Sequence, residues 1–328
     1  MSELRFGLVG CGGMGRAVAS GASAIEGCRV TAVCDLLADR CEAASEQFGA
    51  TITNPFTDLV ARDDVDVVIV ATHPSAHRMV VEAAAAAGKH IFCEKPLAAS
   101  HDDALAMVEA VNKAGVTAMC GQVVRWHPTH RRLKDMVDNG PLGGVLTMYV
   151  ERRQGNWEGH PSWRLSLEKS GGTLLEVNAH ELDFMLWLGG PAKTVYAVGA
   201  NRIERAQDYP DFAHVSITHQ SGAISVLSSS NIAVLGSYDG RFDCAHGSAV
   251  VDALFGGEIR YALRNGESGT VSPEEMKVET PVTGEVRALV EAIRAGKPSP
   301  VPFEQAAHTV AVGRAAYRSI ELGAPVDL

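Results

Sequence analysis

The 328 residues contain no Cys-x-x-Cys pair, no apolar run near the eighteen or so residues a membrane helix needs, and no basic excess. Lys and Arg number 29 against 39 Asp and Glu, a net charge of -10 that repels phosphate polyanions and anionic lipid, so neither nucleic acid nor membrane is an expected partner. The seven cysteines, at 11, 28, 34, 41, 93, 120 and 244, are an odd number and sit mostly in apolar stretches such as VTAVCD and HIFCEK. They read as reduced, buried thiols of a cytoplasmic protein. The opening MSELRFGLVG has no charged n-region, long apolar core or cleavage site, so no export signal is expected. What is present is core: 46% hydrophobic against 21% charged residues excludes wholesale disorder, and at about 150 residues per domain the length points to two domains.

The two halves have different rhythms. Residues 1–122 alternate short β-branched runs (LRFGLVG, RVTAVCD, DVVIVAT, HIFCEK, VTAMCG) with Ala-rich helical segments starting near Met14, Ala38, Ser75 and Ser100. That alternation predicts a doubly wound parallel (Rossmann) sheet. Residues 123–328 carry longer strand candidates separated by Gly or polar turns, from VLTMYVERRQ to RFDCAHGSAVVDAL, which predicts an α+β domain on a mostly antiparallel sheet. Its strong helix candidates are 173–188, 284–295 and 303–322, too few to cover both sheet faces, so a homo-oligomer, dimer or tetramer, is expected.

Gly10-Cys11-Gly12-Gly13-Met14-Gly15 fits G-x-G-x-x-G directly after a strand and at the opening of a helix. The first glycine serves a tight turn, the second a close backbone approach to pyrophosphate, and the third close helix packing. Asp35 lies twenty residues beyond Gly15 at the end of the second strand, where a carboxylate accepts from ribose hydroxyls and repels a 2'-phosphate. NAD is therefore expected and NADP less favoured, though Arg40 nearby can turn toward a phosphate and keeps NADP as the alternative. Thr72-His73-Pro74 follows the third strand at the same sheet edge, and Glu94-Lys95-Pro96 closes the fourth, aiming Lys95 into that crevice.

Residues 174–188, LLEVNAHELDFMLWL, predict a buried helix with Glu176, His180 and Asp183 on one stripe. Burying two carboxylates and an imidazole costs several kcal/mol unless they are paired or serve a polar cavity. A histidine oriented by a carboxylate one turn away suits a general base; a structural polar network is the alternative. The ligand set is poor for zinc, and no metal is expected. Arg152, Arg153, Trp157, His160, Trp163 and Arg164 form a run of donors and flat rings that suits a polyol.

GLVGCGGMGRAVA, the VCD strand end, ATHPSAH, EKPLA, RWHP and GGTLLEVNAHELD, in this order and spacing, resemble the Gfo/Idh/MocA family of oxidoreductases. The resemblance implies a Rossmann domain, a mostly antiparallel second domain often oligomeric through its sheet, and action on sugars or cyclitols. It implies Lys95 as the active-site lysine of EKP and His180 as the acid/base histidine. Glu176 stands where the family usually has Asp, and Asn178 where Gly is common. The expected catalytic set is Lys95, His180 and Glu176, with Arg153, Trp163, Arg164 and Asn178 joining Lys95 and His180 on substrate. His77, Glu94 and Gln122 complete the cofactor set. The activity implied is NAD-dependent oxidation of a secondary hydroxyl, or reduction of the ketone. The alternatives are a glycoside-cleaving enzyme working by transient oxidation and elimination, and a non-catalytic NAD-sensing regulator.

Overall fold

The computed structural model describes residues 3–155, 161–203, 206–277 and 279–328. Trp157 and His160 lie outside the described residues. The chain forms two compact units, one from Met1–Val123 with Glu279–Ala307, the other from Val124–Val278 with His308–Leu328.

In the first unit, β1 (Leu4–Val9), β2 (Cys28–Cys34), β3 (Thr51–Ile52), β4 (Val67–Val70), β5 (His90–Glu94) and β6 (Ala118–Gly121) make a six-stranded sheet ordered β3-β2-β1-β4-β5-β6. All five pairings are parallel. Strands such as VVIV are buried throughout because helices cover both faces. The local helices are α1 (Gly13–Ser23), α2 (Ala38–Phe48), α3 (Phe56–Val60), α4 (Pro74–Ala86) and α5 (His101–Ala114). The Ser100 hydroxyl accepts from the Asp103 amide at 3.2 Å and caps α5 at its expected start. The strand order reverses between β1 and β4, and ligands of such sheets lie beyond the carboxyl ends at that switch point.

The second unit holds α6 (Pro128–Asp138), β7 (Val145–Arg153), α7 (Leu167–Ser170), α8 (Thr173–Glu176), α9 (Ala179–Gly189), β8 (Ala192–Ala200) and β9 (Phe212–His219). There follow β10 (Ile224–Ser230), β11 (Ser237–Cys244), β12 (Gly247–Val251), β13 (Ile259–Leu263), β14 (Ser268–Val271) and, near the C-terminus, β15 (Val326–Asp327). The nine strands run β14-β13-β12-β11-β7-β10-β9-β8-β15. Every pairing is antiparallel except β7 with β10. One face packs on α9, with Phe184 and Phe242 edge-to-face at 5.9 Å. Among the described residues no helix is long and apolar enough to cross a membrane.

Two expectations need correction. The segment expected as one helix over 174–188 is broken: at Asn178 (φ -85°, ψ 6°) the backbone leaves helical geometry, and its amide reaches back to the Thr173 carbonyl at 2.9 Å. Residues 279–307, expected in the second domain, belong with the first. There α10 (Pro281–Ala295) buries Val286, Leu289 and Val290 completely and packs on α1, β5 and β6. Gly21 of α1 permits the approach, since a Cβ there would already touch Val282 and Thr283 at 3.4 Å. The Cys120 amide then donates to the Val301 carbonyl at 3.0 Å, ahead of α11 (Phe303–Leu322). The reason is apolar burial: the sheet offers α10 a dry face that its nearer neighbours in sequence leave uncovered.

Candidate active site

The nucleotide turn is built by sterics. Gly10 has φ +97°, and a Cβ on it would strike the Ala71 carbonyl; a Cβ on Gly15 would strike the Gly10 carbonyl. Gly12 and Gly13 face open space, the nearest atom to a Gly12 Cβ being Arg40 Nη1 at 4.0 Å, and Met14 beside them is exposed. No side chain caps the N-terminus of α1, and its first turn holds no acidic residue, so its amides are available to an anion. Asp35 accepts the Cys11 amide at 2.7 Å on one oxygen and the Leu37 amide at 3.0 Å on the other. Those bonds fix the carboxylate at the end of β2 while leaving it further acceptor capacity for ribose hydroxyls. The residues present therefore fit a dinucleotide: an open glycine cradle, an uncapped helix start and an anchored carboxylate.

His73 is exposed at the start of α4, its Nδ1 2.9 Å from the Ser75 hydroxyl, and Thr72 is half-buried beside it. His77 is a different case. It is 0% exposed, with Nδ1 3.1 Å from the Leu97 carbonyl and Nε2 3.1 Å from that of Thr72, and burial pushes its imidazole below the ordinary range. From inside, it ties together the segments that follow β4 and β5. Gln122 is 1% exposed, just past the end of β6. At the end of β5, Glu94 accepts the Lys95 amide at 3.1 Å, and burial raises its carboxyl to about 7 against the pull of the Lys95 ammonium. Lys95 itself is half-buried.

In the second unit the polar stripe of α8 and α9 is matched to arginines. Glu176 pairs with Arg164 at 2.7 Å, and the Arg164 carbonyl in turn accepts the Tyr209 hydroxyl at 2.6 Å. Arg164 also lies over Trp163, 5.4 Å from its ring centroid. Asp183 takes two parallel bonds from Arg125, both 2.7 Å, in a pair whose side chains are 8% and 2% exposed. His180 stands half-buried between these two pairs along the chain. Arg125 was not singled out as a site residue; the RWHP motif was its only signal. Beneath α9, Asn178 donates to Glu181 at 2.8 Å and accepts the Ser229 hydroxyl at 2.6 Å. It is 0% exposed and braces α9 against β10 through those two bonds. Burial raises Glu181, with Arg152 opposing, and Arg152 lies 4.5 Å from the Tyr238 ring centroid.

Arg152 and Arg153 of β7 face opposite sides of the sheet. Ser229, which reaches Asn178, is in register with Arg152, so period-two alternation sends Arg153 to the opposite sheet face. There it pairs with Glu151 at 2.8 Å, away from α9. Among the described residues no group of three His, Cys, Asp or Glu side chains is arranged to hold a metal ion.

Comparison with known proteins gives the same outline. The sequence model described as "Oxidoreductase family, NAD-binding Rossmann fold" matches residues 4–122, and "GFO/IDH/MocA C-terminal domain" matches 130–251. The myo-inositol 2-dehydrogenase of Thermotoga maritima is 27% identical over 97% of this chain and 96% of its own length. An uncharacterized oxidoreductase of Streptococcus pneumoniae is 35% identical, but the match covers 63% of this chain and 56% of that protein. The 2,7-anhydro-N-acetylneuraminate hydratase of Escherichia coli is 30% identical over 68% of this chain and 61% of its own length. Among solved structures, the aldose-aldose oxidoreductase of Caulobacter crescentus complexed with glycerol aligns with a TM-score of 0.89 at 25% identity, covering 99% of this chain and 100% of that one.

Proposed function

Because the chain belongs to the GFO/IDH/MocA family of oxidoreductases, with an NAD-binding Rossmann domain, we propose that it is a dehydrogenase acting on a secondary hydroxyl of a sugar, sugar derivative or cyclitol. The observation that carries this reading is His180. It is a half-buried imidazole on a stripe whose carboxylates are held in place, Glu176 by Arg164, Glu181 by Asn178 and Asp183 by Arg125, and an imidazole set among positioned carboxylates is the residue type suited to proton transfer. NAD supplies the hydride acceptor when bound. His180 takes the hydroxyl proton, and Lys95 donates a hydrogen bond to the developing alkoxide, stabilising negative charge where it forms. Gly10, Gly12, Gly13, Met14 and Gly15 receive the pyrophosphate, Asp35 holds the ribose, and Thr72 and His73 flank the crevice. Trp163 and Arg164 bind substrate, with Glu176 positioned by Arg164.

The test is a polyol and sugar panel followed at NADH absorbance, with NAD and NADP in parallel. Steady NADH formation with one substrate class supports the reading; none with any member overturns it. The relative named a hydratase favours a second reading, elimination through transient oxidation. In that case product forms with NAD present and no net NADH accumulates.

The reading extends to assembly and location. The sheet face opposite α9 exposes Tyr149, Tyr196, Val198 and Ile224, a surface suited to a second copy of this chain, and sedimentation velocity tests it. All seven cysteines are free thiols, which suits the reducing cytoplasm, and cell fractionation checks that.

A further inference from the structure

A cluster of acceptor oxygens sits at the carboxyl ends of β5 and β6, and part of it arrives from the far end of the chain. Glu94 closes β5 in register with Gly121 of β6, and Gln122 follows. Gly121 leaves room for it: a Cβ there would meet Glu94 Oε1 at 3.4 Å and the Phe92 ring at 3.0 Å. Helix α10 packs on the same two strands and contributes Glu285, 0% exposed. Among the described residues, Glu94 Oε1, Gln122 Oε1 and both carboxyl oxygens of Glu285 are buried without a hydrogen-bond partner.

Acceptors do not satisfy one another, and buried ones left unmatched are costly. A carboxyl group becomes a donor only by keeping its proton. Burial first, and then the charge of Glu94, push Glu285 well above the usual carboxylate range, while Glu94 itself rises to about 7. The charged and titratable groups on the elements packed here are few. Arg16 is the one charged residue of α1; α4, which also packs on β5, carries His77, Arg78 and Glu82; β5 adds His90 and Cys93, followed by Lys95; β6 adds Cys120; α10 itself carries Arg287, Glu291 and Arg294. Of these, Lys95 is the cation that acts on Glu94.

The location gives the pair a use. The glycine turn and Asp35 take the pyrophosphate and one ribose at β1 and β2, so the ends of β4 and β5, past the switch point, receive the nicotinamide half. That ring is positively charged when oxidised and neutral when reduced.

We propose that Glu94 and Glu285 share a proton at the strand ends that receive the nicotinamide half of the cofactor, and that releasing it favours oxidised over reduced cofactor. Glu285 is thus a positioning residue acting through Glu94. The proposal rests on cofactor binding alone, so its test uses no sugar substrate and stands or falls separately from the dehydrogenase reading.

NADH binding is read by fluorescence and NAD+ by displacement of NADH, on the full chain at about pH 6 and about pH 8. In the wild type the ratio of the NAD+ Kd to the NADH Kd is expected to fall roughly tenfold across that interval, the change that accompanies displacement of one titration by about one pH unit. In Glu94→Gln the ratio is expected to be equal at both. Infrared difference spectra at neutral pH, wild type minus Glu285→Gln, are expected to contain a protonated-carboxyl C=O stretch; Glu285→Met, similar in volume, repeats the reading if the amide does not fold. A wild-type ratio independent of pH, a Glu94→Gln protein that keeps the dependence, or difference spectra with no protonated-carboxyl band for either Glu285 substitution would each overturn the proposal.

Discussion

The Arg125 and Asp183 pair gives a measurable test of how the second unit holds its polar stripe. Both side chains are out of water, 8% and 2% exposed, and they meet through two 2.7 Å bonds. Removing one partner takes from the other its buried counter-charge, at a cost of roughly 3–5 kcal/mol, whereas replacing both with apolar groups of similar volume is often close to neutral. Arg125→Met and Asp183→Leu are therefore each expected to destabilise by about 3 kcal/mol or more, or roughly 10 °C in melting temperature. The double variant is expected to recover most of that loss. Urea unfolding followed by Trp187 fluorescence reports locally, since the Arg125 guanidinium lies 5.4 Å from that ring centroid. Two results refute the reasoning: a single variant costing less than about 1 kcal/mol, or a double variant as unstable as both losses added.

Four further outcomes are expected. The Glu94 carboxyl keeps its proton to about 7 in the folded protein against 4.5 ordinarily, so stability is unaffected below 4.5 and falls as pH rises from there to about 7. At about 1.4 kcal/mol per pH unit the loss totals roughly 3 kcal/mol; denaturant melts across pH show it in the wild type, and an equal slope in Glu94→Gln refutes it. Gly15→Ala drives a Cβ into the Gly10 carbonyl, so NADH affinity should drop at least tenfold by fluorescence titration. Lys95→Ala should abolish turnover while NADH still binds; unchanged turnover removes Lys95 from the mechanism. Asp35→Ser should shift the ratio of kcat/KM values toward NADP by tenfold or more, because the carboxylate that repels a 2'-phosphate is gone.

The local features of this protein were legible in its residues. A glycine turn between a strand and a helix announces itself because its steric demands fall within six positions, and the Gly10 and Gly15 contacts meet them. Ser100 caps α5 for the same reason, donor and acceptor being three residues apart. Short strands alternating with helical segments, against longer strands separated by Gly or polar turns, separated the parallel sheet from the antiparallel one.

What depends on partners distant in sequence was decided by the tertiary structure. Arg125 finds Asp183 across 58 residues, and nothing around either position names the other. The run Arg152-Arg153 reads as two equivalent donors until the sheet sets its register, after which one faces α9 and the other turns away. His77 and Asn178 stand beside motifs in the sequence, but only the fold decides that both are buried and what they bond, His77 the Leu97 and Thr72 carbonyls, Asn178 Glu181 and Ser229. Glu285 carries no local sign at all; α10 returns to bury its apolar stripe on the first sheet, and that packing brings a second carboxyl to Glu94. Backbone chemistry and periodicity act over a turn or a strand, while desolvation and charge pairing act through space, and only the folded chain determines which groups share it.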